Sequence, residues 1–280
     1  MAQVLNTNVP SLNAQRNLNI TQGKMTQTFE RLSSGLRINR AKDDAAGLAV
    51  SERMTAQIRG LNQAARNAND GVSMIQTTEG ALKEITANLQ RMRELAVQSA
   101  NGTYGAGDRQ AMQAEFSALR LEIGRVGSQT QFNGKNVLLS TGGGSPGTVK
   151  FQVGANSGEI ISFQFNKGFT TASVAGVNIK TETVGTSAGA SAAITTINNA
   201  LSAVNSYRAN LGAVQNRLES AVMTITNTAE NLSASRSRIV DADFAQETAN
   251  LTKYQILQQA GTSVLAQANQ NPNSIMSLLQ

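Results

Sequence analysis

The chain has 280 residues, with 24 Lys and Arg against 18 Asp and Glu for a formal net charge of +6, and it contains no cysteine, histidine or tryptophan. That composition excludes disulfides, thiol nucleophiles, imidazole bases and the usual structural zinc sites, and leaves room for a metal or acid–base site built on carboxylates. Charged residues make up 15%, against ~25% in ordinary soluble domains, and basic residues interleave with acids in a chain that is 4% aromatic, which is not the pattern of a nucleic-acid binder.

The opening stretch MAQVLNTNVPSLNAQRN lacks a basic segment followed by an apolar one, so no cleaved secretory signal is visible. No apolar run approaches the ~18–20 residues of a membrane span. The expectation is no membrane insertion, and a chain that stays in the cytoplasm or leaves by a route that reads no cleaved signal.

After Pro10, which suits a first helical turn, a stripe runs through Leu18, Met25, Phe29, Leu32 and Leu36 and is interrupted at Gly35. From Asp44 a second helix carries Ile58, Leu61, Ala65, Ala68, Val72, Ile75, Leu82, Leu89 and Ala96 in one register. Ile85 and Met92 widen its face, so it touches more than one neighbour. Asn101-Gly102 and Gly105 to Gly107 end it. Asp108 is placed to cap a third helix bearing Met112, Phe116, Leu119, Ile123 and Val126.

Residues 137–189 change texture. Ten glycines fall within residues 141–190, and Thr148 to Val153 and Ile160 to Phe165 read as a β-hairpin with period-two alternation. Gly142-Gly143-Gly144 lacks the Lys-Ser/Thr of a phosphate-binding loop and reads as linker. This insert is too small for a large core of its own.

Ile194 to Ile239 then holds one heptad register, interrupted at the seam only by Arg208, Gln215 and Arg236. A straight helix of that length spans ~70 Å, so the sequence predicts an elongated molecule whose function follows from shape. A last helix starts near Asp241 or Asp243 and is expected to stop before Pro272. The fold class is therefore mainly α: an elongated antiparallel helical bundle or coiled coil, with paired terminal helices and a small β-hairpin/loop insert. Both chain ends lie at one end of the molecule. Their narrow stripes bury little, so these helices are expected to order fully only in an assembly.

Three segments resemble bacterial flagellins: LSSGLRINRAKDDAAGLA at residues 32–49, QRMRELAVQSAN at 90–101, and IVDADFAQE from 239 with QILQQAG from 255 and LAQAN from 265. The resemblance covers residues 1–140 and 190–280. It implies a subunit exported unfolded by the flagellum-specific type III apparatus and polymerised under a cap protein. Residues 1–40 and 241–280 would form the inner tube, 41–136 and 190–240 the long-helix bundle, and 137–189 a surface insert open to O-linked glycans.

The same resemblance assigns Arg40, Lys42, Asp43, Asp44, Asp241 and Asp243 to polar contacts between subunits. Arg91, Leu95 and Glu115 match the positions read by the flagellin-sensing Toll-like receptor. Leu278 and Leu279 match a tail that lines the channel and is held by an export chaperone. The competing reading is a hook–filament junction (hook-associated) protein, which shares the terminal heptads. Metalloprotease flagellins need a His-Glu-x-x-His helix, which a chain without histidine does not have. No enzyme, cofactor or metal role is expected.

Overall fold

The computed structural model describes residues 7–139, 147–165 and 168–278, with side chains through residue 270. The elements in chain order are α1 (Val9–Ser34), α2 (Ala45–Ala100), α3 (Ala106–Gln129), β1 (Gln131–Phe132), β2 (Lys135–Asn136), β3 (Thr148–Gln152), β4 (Ile160–Gln164), β5 (Ser173–Val174), β6 (Val177–Asn178), α4 (Ser187–Val240) and α5 (Phe244–Leu278). The protein is mainly α, and among the described residues the strands form three separate two-stranded antiparallel sheets. The chain divides into two compact units: residues 1–56 with 230–280, and residues 57–229.

In the terminal unit α1 and α5 pair antiparallel, because Arg31 near the end of α1 meets Glu247 near the start of α5, while Asn8 meets Ala268. The first helix stops where the sequence placed its break. Gly35 takes a left-handed φ of 71°, and its N–H returns to the Arg31 carbonyl, a conformation glycine adopts without the Cβ penalty. The pairing is thin. In α1 only Ser11 and Thr28 are buried, and Ile38, Val240 and Ala268 are the buried apolar residues of this unit among those described.

Two helix ends differ from expectation. Gly105, not Asp108, precedes the first turn of α3, because the Asp108 carboxylate reaches back to accept the Gly105 N–H at 3.0 Å. And α5 runs through Pro272 instead of stopping before it. Proline deprives the carbonyl four residues back of its helical donor. That carbonyl belongs to Ala268, and the Asn8 side-chain amide donates to it at 2.7 Å.

The central unit holds the dense core. Among the described residues the largest fully buried side chains lie here, including Ile75, Leu82, Ile85, Leu89 and Met92 on α2, Phe116 and Ile123 on α3, and Phe165 and Phe169 from the insert. The hairpin forms as its alternation predicts, with Phe151 opposite Ile161 and Val149 opposite Phe163. Its inward faces join the helices: Phe163 meets Phe165 edge-on at 4.8 Å, and Phe163 and Phe169 both lie against Tyr207 of α4.

Glycines make room for this docking. A Cβ on Gly127 would stand 1.9 Å from the Phe169 carbonyl oxygen, and one on Gly124 2.1 Å from a Thr171 methyl. The two are three residues apart on one face of α3, so together they form the trough in which residues 169–171 lie. A further hairpin, β1–β2, turns at Asn133-Gly134, both with positive φ, the Asn-Gly signature of a two-residue turn.

Candidate functional site

The segment linking α1 to α2 folds against the segment linking α4 to α5. Arg37 N–H donates to the Val240 carbonyl and Ala242 N–H to the Gly35 carbonyl, making the isolated bridge between Leu36 and Asp241. The connector carboxylates are engaged within the chain. Asp43 accepts from the backbone of Asn39 and Arg40 and from the Gln27 side chain. Desolvation alone would raise the Asp43 carboxyl, but these donors, with the nearby charge of Lys42, outweigh it and hold the group below its ordinary value.

Asp44 accepts from Gly47 N–H at 2.8 Å, and Asp243 from Ala245 and Gln246 N–H, so these two cap the starts of α2 and α5. Asp241 takes a hydrogen bond from Ser237, and Arg40 pairs with Glu30 at 2.7 Å. Of the six connector residues, Lys42 is exposed with no hydrogen bond or ion pair among the described residues.

Sequence reasoning missed the most buried charge of this region. Glu247 is 7% exposed and pairs with Arg31 at 3.1 Å. The signal was present, since Glu247 lies in the first turn of α5 and Arg31 in the last turn of α1, places that favour an acid and a base respectively. Only the antiparallel pairing brings the two turns together.

On the central unit, Arg91 donates to Glu115 at 2.8 Å and to Glu94 at 2.9 Å. The hydrogen bonds to Glu115 and then Glu94 raise its already high pKa. Arg91 and Glu115 thus form an exposed charged bridge between α2 and α3. Leu95 is not beside them on the surface. It is 2% exposed, within the core cluster, because α2 is wrapped by neighbours on more than one side. Leu278 is the last residue of α5, its side chain outside the described set, and Leu279 lies outside the described residues altogether.

A surface feature of the terminal unit stands apart from these charged groups. Leu12, Ile20 and Phe29 on α1 are 50% exposed or more, as are Ile256 and Val264 on α5. Among the described residues no helix is long and apolar enough to cross a membrane.

Residues 5–142 match the model of the bacterial flagellin N-terminal helical region, and residues 194–279 that of the C-terminal helical region. The chain is 48% identical to a flagellin of Halalkalibacterium halodurans, over 99% of this chain and 100% of that one. It is 46% identical to the flagellar filament 33 kDa core protein of Treponema phagedenis, again over 99% and 100%. Among solved structures it is similar to Bacillus cereus flagellin, with a TM-score of 0.51 and 30% identity over 61% of this chain and 94% of that one. With both terminal regions matched in order and relatives aligned from end to end, the chain belongs to the bacterial flagellin family.

Proposed function

We infer that this chain is the structural subunit of a flagellar filament and that copies of it polymerise to build the filament that drives motility. The observation that carries the physical side of this reading is the α1–α5 pair. It leaves Leu12, Ile20, Phe29, Ile256 and Val264 largely in solvent, and burying such side chains contributes roughly 1.5–3 kcal/mol each. Covering a surface of that kind is favourable, and a polymer of identical subunits covers it. No observation favours the junction-protein alternative, and the relatives aligned end to end are a flagellin and a filament core protein. Electron microscopy of the purified protein after seeding tests the reading: long tubes with a central channel are expected, and persistent monomers would refute it.

Finer assignments follow from family membership and carry their own tests. Residues 1–40 and 241–280 form the inner tube, 41–136 and 190–240 the bundle around it, and 137–189 the surface insert. Export through the flagellar apparatus delivers the subunit outside the cell, where it joins cap and hook-associated proteins. The tail with Leu278 and Leu279 suits an export chaperone's groove. Of the connector residues, Arg40, Lys42 and Asp241 are the ones most available to neighbouring subunits, since Asp43, Asp44 and Asp243 hold their own chain's N–H groups.

Host receptor recognition rests on the exposed Arg91–Glu115 bridge, with Leu95 contributing through the packing beneath it. Reversing both charges, Arg91→Asp with Glu115→Lys, is expected to abolish signalling in receptor-bearing reporter cells while leaving the circular dichroism melt unchanged. Undiminished signalling would remove the assignment.

A further inference from the structure

The chain holds two Asn-Gly dipeptides, Asn101-Gly102 after the end of α2 and Asn133-Gly134 at the turn of the β1–β2 hairpin. Asparagine is a thermolabile residue, and a glycine after it leaves the next peptide nitrogen unshielded by any side chain. That nitrogen is placed to attack the asparagine Cγ. The two sites differ in what surrounds the reacting atoms.

At Asn101 the surroundings favour the attack. Gly102 N–H has no acceptor among the described residues. Arg109, in the first turn of α3, donates from Nη2 to the Asn101 backbone carbonyl at 3.0 Å and from Nε to the Ser99 carbonyl at 2.9 Å. The Asn101 carbonyl is conjugated with the Gly102 nitrogen, so a guanidinium on its oxygen stabilises the amide anion that must form before attack. Thr103 N–H points at Asn101 Oδ1 from 3.4 Å, the oxygen that gains charge as Cγ becomes tetrahedral. Asn101, Gly102 and Thr103 are exposed, and nothing stands within 4 Å of a Cβ on Gly102. Water and a rearranged backbone therefore have room. The Asn133 turn is held differently: its φ of 49° and the 74° of Gly134 are fixed by the pairing of Phe132 with Lys135. A turn clamped in this way resists the rotation that brings the glycine nitrogen onto Cγ.

We propose that Asn101 is a site of spontaneous covalent modification in the folded chain, converting through a cyclic imide to aspartate and isoaspartate. A proton leaves Gly102 N–H for hydroxide or water, and the nitrogen forms a bond to Asn101 Cγ. The Cγ–Nδ2 bond breaks, and the side-chain nitrogen takes up a proton from solvent and departs as ammonia. Water then opens the ring. Addition at Cγ restores the ordinary backbone and leaves aspartate, while addition at the backbone carbonyl carbon routes the chain through the side chain and leaves isoaspartate. Either product sets a carboxylate beyond the C-terminal end of α2, where the helix dipole disfavours it and the Arg109 cation offsets that cost.

Peptide mapping by mass spectrometry after incubation in heavy-oxygen water at mildly alkaline pH reads both sites at once, in the folded chain and in the chain unfolded by guanidinium chloride. Unfolded, the two asparagines are expected to convert at similar rates. Folded, Asn101 is expected to convert at least as fast as it does unfolded, and about tenfold faster than Asn133. Arg109→Gln is expected to slow Asn101 by about threefold or more and leave Asn133 unchanged, and Arg109→Lys, which keeps the charge, to recover part of the rate. Equal conversion of the two sites in the folded chain would overturn the proposal, as would an Asn101 rate indifferent to Arg109→Gln. Where Arg109→Gln loosens the end of α2, seen as faster amide exchange across residues 96–100, the parent alone decides. Folding that slows Asn101 as strongly as Asn133 then overturns the proposal.

Discussion

Asn8 donates its side-chain amide to the carbonyl of Ala268 at 2.7 Å, the acceptor that Pro272 leaves without a helical donor. The same side chain turns its oxygen to the Ser11 N–H at 3.1 Å and so caps α1. One residue therefore starts the first helix and repairs the last.

Asn8→Asp should keep the cap but place an oxygen against the Ala268 carbonyl, whereas Asn8→Ala loses both bonds. The alanine variant is expected to destabilise the α1–α5 pair by about 1–2 kcal/mol. Amide hydrogen exchange around residues 9–12 should report the cap, and exchange around residues 264–270 the repair. Aspartate is expected to raise exchange only in the second region.

The trough on α3 gives a paired prediction on glycine. Gly127→Ala would drive a methyl into the Phe169 carbonyl, a backbone group that cannot rotate away. A cost of about 1–3 kcal/mol, typical of overpacking, is expected in urea unfolding of the central unit. Gly80 also lies in a helix, but nothing stands within 4 Å of its would-be Cβ. Gly80→Ala should instead stabilise by about 0.5–1 kcal/mol.

Burial of Tyr207 beneath the insert pushes its phenol well above the ordinary value of 10. The folded chain thus keeps a proton that the unfolded chain gives up. This contribution is intact below about pH 10 and is lost as the pH rises beyond it toward the folded-state value. Unfolding free energy measured at about pH 9 and pH 11 should fall more steeply for the parent than for Tyr207→Phe. Equal slopes would show that Tyr207 does not control the alkaline limit.

Arg208 interrupts the heptad seam of α4 and reaches Glu79 on α2 at 3.2 Å, while its buried Nε has no partner among the described residues. Both side chains are about a third exposed or more, so the pair contributes at most about 1 kcal/mol. A double-mutant cycle with Arg208→Ala and Glu79→Ala should return a coupling below that figure. Arg208→Met, which removes the unpartnered Nε, is expected to be neutral or stabilising by about 1 kcal/mol.

Much of the helical framework was legible because periodicity is a local property. The stripe from Ile194 to Ile239 lies within a single uninterrupted α4, and the break at Gly35 stands where a left-handed residue was needed. Arg208 and Arg236 were recognisable as odd residues on a seam, and each finds a polar partner on α2, Glu79 and Thr55. The site was less legible. Spacing put Arg91 and Leu95 one turn apart, but whether that face meets water or a neighbouring helix depends on where α3 and α4 lie.

By itself, the sequence determined the helices, the hairpin and, through three long segments, the family, because each is written in side chains close together along the chain. The tertiary structure alone decided which side chains are covered. It placed Phe165 and Phe169 of a glycine-rich insert in the core, buried Leu95 and Glu247, and carried α5 through Pro272 on a bond from a residue 260 positions away. Burial and long-range hydrogen bonds depend on contacts between distant segments, and no local pattern of residues encodes those contacts.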